Sequence, residues 1–172
     1  MAYSVLRRSA SPPARLRLEE SRESDVRGVL MAASLLGMAS MATVALFQIG
    51  VLRHLPDPPV DGFDSDHVNA PERTSVRGVP DGFRKFTGHA VMLALTAAWT
   101  ADREARRPWL AFFAAGFALG QAIAAGRAVF RMPKVDKAWC GYRLIDAAVH
   151  FVTAAIMVPA AGWALCRRMR RH

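Results

Sequence analysis

WCGYRLIDAAVHFVTAAIMVPAAGWAL, residues Trp139–Leu165, decides how this chain is read. At about 1.5 Å of rise per helical residue it is long enough to cross a hydrocarbon core of about 30 Å, and it is apolar enough to do so. Yet its first third carries Cys140, Arg143, Asp146 and His150. Ionisable groups are costly in hydrocarbon, so at membrane depth they face a protein interior, a cavity or the interface. Residues 143, 146 and 150 stand at i, i+3 and i+7 and share one helical face. The stretch therefore describes a membrane helix whose chemistry is gathered at its N-terminal end.

Working outward, three further apolar runs predict crossings. Val29–Leu52 is the first. Phe86–Trp99 is the shortest, and Phe83 and Arg84 can extend it if the arginine reaches back to the interface. Trp109–Phe130 is the third. The expected fold is an all-α integral membrane bundle of four helices, at about 29–52, 83–100, 109–130 and 139–166, with a long loop over 53–82. Trp99, Trp109, Trp139 and Trp163 all fall near segment ends, where interfacial anchors belong. Gly116 and Gly120 form a small-xxx-small pair suited to close helix contact. The run MAASLLGMASMA in the first helix reads as a close-packed core or an interface.

Charge sets the orientation. Residues 1–28 form a basic tail, in which Arg7, Arg8, Arg15, Arg17, Arg22 and Arg27 stand against four acids. Its Ser-Pro-Pro at 11–13 argues against one continuous helix there, so a surface-lying or mobile segment is expected. Arg103, Arg106 and Arg107 fall between the second and third runs, and 167–172 is a second basic tail. The 53–82 loop has six acids and three arginines. The positive-inside rule then places both termini in the cytoplasm and the long loop outside; the expected location is a bacterial inner (plasma) membrane. The net charge of +9 is accounted for by these clusters, which serve topology and contact with lipid headgroups. No interleaving of aromatic and basic residues points to nucleic acid.

The 53–82 loop is rich in Pro, Gly and Asp and is expected to be ordered mainly by turns, with a short helix near Ala70–Val76 started by Pro71. Val79, Phe83 and Phe86 are candidates for packing it onto the helix ends. Asp57, Asp61, Asp64, Asp66 and His67 offer oxygen and nitrogen donors, but their spacing does not match a calcium loop, and no metal site is expected. Only two cysteines occur. Cys140 and Cys166 lie on one helix about 39 Å apart, far beyond the span of about 7 Å that a disulfide bridges.

With DSDHVNAPERTSVRGVPDG in the loop and AWCGYRLIDAAVHF opening the fourth helix, the stretch from Val29 to Leu165 resembles the vitamin K epoxide reductase family, which includes bacterial quinone-linked disulfide-forming membrane proteins. The resemblance implies a redox thiol at Cys140, a quinone beside it and a thiol protein on the outer side as partner. It also implies a second thiol at the position of Arg143 and a cysteine pair in the region of Asn69, and neither is present. Thiol–disulfide exchange needs a resolving thiol, so a conventional relay is not expected.

What remains is a polar group on one helical face. Arg143 can pair with Asp146, and Asp146 can orient His150 at i+4. As a quinone site, Arg143 or His150 would donate to a carbonyl, Asp146 would orient, and His89 in the second helix is a further donor. Alternatively these groups satisfy one another and hold the bundle together. Gln121, Arg127 and Lys134 continue the polar side of the third helix, where Arg127 either snorkels to the interface or helps neutralise an anionic or reduced ligand. Three functions stay open on these residues. One is a quinone-binding or scaffold protein that touches membrane lipids and other membrane proteins. Another is an oxidoreductase using Cys140 with a thiol from a partner. The last is an unrelated structural subunit of a membrane complex.

Overall fold

The computed structural model describes residues 14–75, 78–98 and 108–169, with side chains over 24–75, 78–98 and 109–162. Arg103, Arg106, Arg107, Trp99, the two chain ends and the side chains of Trp163 and Cys166 lie outside the described residues. Within them the chain is mostly helical and has no β-strand.

Helix α1 runs Ala14–Gln48 without a break. It starts well before residue 29, so much of the expected basic tail is helical; the two prolines at 12 and 13 stand just ahead of it. One face of α1 is buried: Leu30, Ser34, Gly37, Met41, Val44 and Gln48 recur at three- and four-residue steps. The small, methionine-rich run is thus core. α1 stops at Gln48 because Gly50 adopts φ +80, which lets the Val51 and Leu52 amides turn back to the Leu46 carbonyl.

The loop carries two short helices, α2 (Ser65–Asn69) and α3 (Pro71–Thr74). Pro71 opens α3 as its sequence position suggests. The Asp64 carboxylate caps α2 by accepting from the His67 amide at 2.8 Å. Asp57 accepts from the amide and hydroxyl of Ser65 at 2.8 and 2.5 Å. Asp66 accepts from the Leu55 amide at 2.7 Å. Asp57, Asp64 and Asp66 are therefore spent on folding the loop. Leu55 drops into a cluster with Met41 and Val44, against which Phe86 packs, while Val79 and Phe83 stay largely exposed.

Helix α4 is Asp81–Ala98, α5 is Pro108–Arg131 and α6 is Gly141–Met169. A π-helical turn, Met132–Asp136, and Lys137 at φ 53 reverse the chain between α5 and α6. Trp139 then bonds alongside Phe63, donating to the Gly62 carbonyl at 2.7 Å and accepting from the Asp64 amide at 3.0 Å. This ties the loop to the start of α6. Gln48 ties it to α1 and α4. Its amide donates to Thr74 Oγ1 at 2.7 Å and to the Asn69 carbonyl at 3.2 Å, and its oxygen accepts from the Gly82 amide at 2.8 Å.

The helices pack in the cyclic order α4–α1–α6–α5, and of the adjacent pairs α4 and α5 touch least. Leu30, Met92, Ala114, Ala118, Ala122 and Met157 form the central core. The alanine stripe of α5 makes the close approach to α6, whereas Gly116 and Gly120 face outward with nothing near them. That overturns the expected Gly116–Gly120 contact: the buried face lies about half a turn away. Leu35, Leu36, Phe113, Ile123, Phe151 and Val152 are exposed apolar side chains on the outside of the bundle.

Three segments, Ser24–Gln48, Trp109–Asp136 and Gly141–Gly162, are long and apolar enough to cross a membrane. α4 falls outside that set. Asp81, Arg84 and Lys85 occupy its first turns, and the apolar remainder from Phe86 to Ala98 extends only about 20 Å.

Candidate functional site

Asp146 is the centre of the buried polar group. Its carboxylate is 1% exposed and accepts from three side chains: Lys85 Nζ at 2.7 Å, His89 Nε2 at 3.0 Å and His150 Nε2 at 3.3 Å. An ionised carboxylate only accepts, so each imidazole presents Nε2–H to it. His150 follows from the i, i+4 spacing on α6. Lys85 and His89 stand at i, i+4 on α4, which brings both to the same carboxylate. The two imidazoles stack with centroids 4.3 Å apart and planes 3° from parallel. They fit because α1 has no side chain at Gly37, where a Cβ would collide with the His89 ring.

Arg143 does not pair with Asp146, contrary to the sequence expectation. It turns to the loop, donating from Nε to Asn69 Oδ1 at 3.0 Å and from Nη2 to the Val68 carbonyl at 3.3 Å. Its other charged neighbour is Asp81, at 3.7 Å. Lys85 reaches Asp146 from α4 instead. Asn69 is 1% exposed; its amide donates to the Ser65 carbonyl at 2.8 Å and to Cys140 Sγ at 3.1 Å. Cys140 is completely buried among Val68, Met132 and Ala138. A continuous polar chain thus runs from Cys140 through Asn69, Arg143, Asp81 and Lys85 to Asp146 and the two histidines.

Beside this chain lies a cavity of about 680 Å³ in the seam between α4 and α5. Lys85, Arg143, Asp146 and His150 form its inner wall, and Gln121, Arg127 and Arg131 line its α5 side. Val91, Phe117, Ala124 and Ala128 supply apolar lining. Gly88 makes room for Gln121, whose amide a Cβ at 88 would strike. Cys140 and His89 do not line the cavity. Of the residues singled out from sequence, Arg143, Asp146, His150, Gln121 and Arg127 meet there, His89 supports them from behind, and Lys134 lies outside. Lys85, Asn69 and Gln48 were missed. The one available signal was the step from Lys85 to His89; nothing local marks the other two.

One ring nitrogen each of His89 and His150 and a carboxylate oxygen of Asp146 lie within 4.8 Å of one another. A metal needs ligand lone pairs that converge on one point. Both imidazoles already place Nε2 against the same Asp146 oxygen, and the Lys85 ammonium balances its charge. The arrangement is that of a satisfied hydrogen-bond network beside a cavity.

The fold and the site define a helical protein with three segments able to cross a membrane and a polar-walled cavity at the loop end of its bundle. Comparisons with protein-family models, curated proteins and solved structures return no match.

Proposed function

We propose that this is an integral membrane protein of four crossings, with both termini in the cytoplasm, that binds a quinone-class amphiphile in the α4–α5 seam without thiol chemistry. The cavity carries the reading, because its polar inner wall at Asp146 and His150 and its apolar lining along the seam suit a head and a tail respectively. Gln121 is the uncommitted amide in that wall and the fitting donor to a quinone carbonyl. The burial of Cys140 under Asn69 supports the exclusion of a relay, since an attacking thiolate needs access.

The fourth crossing is supported by topology. α4 starts and α5 ends at the loop end of the bundle, so α4 leads away from the loop and α5 leads back to it. The arginine-rich segments then share the side opposite the loop, the cytoplasmic one by the positive-inside rule.

Titration of purified protein with a short-chain menaquinone, read by tryptophan fluorescence, tests this. Cys140→Ser should bind within about twofold of wild type, and Gln121→Leu about tenfold more weakly, the equivalent of one hydrogen bond. Loss of binding in Cys140→Ser, or no binding by the wild type, contradicts the proposal.

A further inference from the structure

The lining of the cavity carries more positive charge than its own acids can balance. Six cationic side chains line the cavity, Arg73, Arg84, Lys85, Arg127, Arg131 and Arg143, against three carboxylates, an excess of three. The carboxylates are all engaged. Asp146 holds Lys85 at 2.7 Å, Asp81 lies 3.6 Å from Arg84 and 3.7 Å from Arg143, and Asp136 lies 4.0 Å from Arg73. Among the described residues, Arg127 and Arg131 have no ion-pair partner.

These two arginines stand at i, i+4 in the last turns of α5 and so share a face. The rest of that face, Phe117, Gln121, Ala124 and Ala128, continues along the cavity towards mid-bundle. Opposite it, α4 offers Thr87, Gly88 and Val91. The small side chains leave a groove below the arginines that runs along the helices. Its depth from Arg131 to Phe117 is about 21 Å, the length of an acyl chain and its glycerol. A cationic rim over an apolar groove, in the seam where two adjacent membrane helices touch least, is complementary to one molecule with an anionic head and a hydrocarbon tail.

We infer that the α4–α5 seam is a binding site for one phosphate-headed anionic phospholipid, held by Arg127 and Arg131 with its acyl chain in the groove. The inference rests on the cavity being a ligand site but not on a quinone being a ligand, which would lie deeper, against Gln121 and His150. The shared chemistry is a phosphate oxyanion, and the source is the bilayer because the groove continues from the rim as an apolar track.

Native mass spectrometry of the detergent-purified protein tests it, with phosphatidylglycerol and phosphatidylcholine of identical chains as probes. One phosphatidylglycerol should be retained per chain, at least about tenfold more tightly than phosphatidylcholine. Arg127→Gln/Arg131→Gln should abolish that preference. Lys134→Gln/Lys137→Gln removes the same charge from exposed positions outside the cavity and should keep it. Ala124→Trp fills the groove and should also lose the bound lipid. All four substituted positions in the two double variants are exposed, so folding is spared; circular dichroism verifies this.

Equal retention of the two lipids, equal loss in the lysine control, or full retention in Ala124→Trp would overturn the proposal. So would millimolar inorganic phosphate displacing the lipid, which would make the site one for the free anion. Retained phosphatidylglycerol with no quinone binding supports this proposal while sinking the quinone reading, and the reverse result does the opposite.

Discussion

At Asn69 one side chain satisfies three groups that the loop and α6 would otherwise leave buried: the Ser65 carbonyl, the Cys140 thiol and the Arg143 guanidinium. Asn69→Leu keeps the volume and removes all three bonds. Unpaired buried polar groups cost about 1–3 kcal/mol each, so a loss of at least about 2 kcal/mol is expected in denaturant unfolding. In a Cys166→Ser background the same change should expose Cys140 to maleimide, which should react with the Asn69-containing protein far more slowly.

Asp146 is the second decisive residue. Asp146→Leu leaves Lys85 beside two histidines with only Asp81, 3.8 Å away, and breaking a buried pair costs about 3–5 kcal/mol. Lys85→Met/Asp146→Leu removes both charges and should recover much of that loss, as a double-mutant cycle on unfolding would measure. Sequence spacing revealed Asp146 and His150 as neighbours because both lie on α6. It misassigned Arg143, since an i, i+3 step says two residues can meet and not which competitor from another helix arrives first. Asn69 was visible only as an asparagine where the resemblance implied thiols; its role depends on contacts 71 residues away in sequence.

Among the helices, two glycines of similar appearance separate packing from surface. Gly37 in α1 faces the His89 ring, and Gly116 in α5 faces open space. Gly37→Ala must push the stacked imidazoles off Asp146, and overpacking of this kind costs about 1–3 kcal/mol. Gly116→Ala meets nothing and should leave stability unchanged or raised by up to about 1 kcal/mol through helix propensity. Melting in detergent, followed by circular dichroism, distinguishes the two.

Hydropathy made the cores of α1, α5 and α6 legible, because a long apolar run admits few alternatives. Helix ends were less so. α1 begins at Ala14, because charged residues of good helix propensity such as Arg and Glu extend a helix past its apolar part. Pro71 announced α3, whereas α2 was hidden in a stretch read as turns although Asp64 stood ready to cap it.

For the whole molecule, a bundle closed on three sides and loose on the fourth gives the seam its character. α1 packs on α4 and α6, and α5 on α6, which leaves α4 and α5 to flank the cavity. The 53–82 loop is fastened to α1, α4 and α6 through Gln48, Asn69 and Trp139, so it covers this end of the bundle. No single-segment pattern encodes which pair of helices stays apart, and so the cavity was not legible in the sequence although several of its residues were.

If the topology is as proposed, Val60→Cys in a Cys166→Ser background should label from outside intact cells with a membrane-impermeant maleimide. Ser4→Cys should label only after the membrane is opened. The reverse pattern would invert the orientation.

Quinone that travels with the purified protein tests the central claim most directly. Lipid extraction and chromatography should find it near one per chain in wild type and in Cys140→Ser, and largely absent in Gln121→Leu/Ala124→Trp. A folded wild type without quinone, or quinone that disappears with Cys140 alone, would contradict a seam that binds its ligand independently of the thiol.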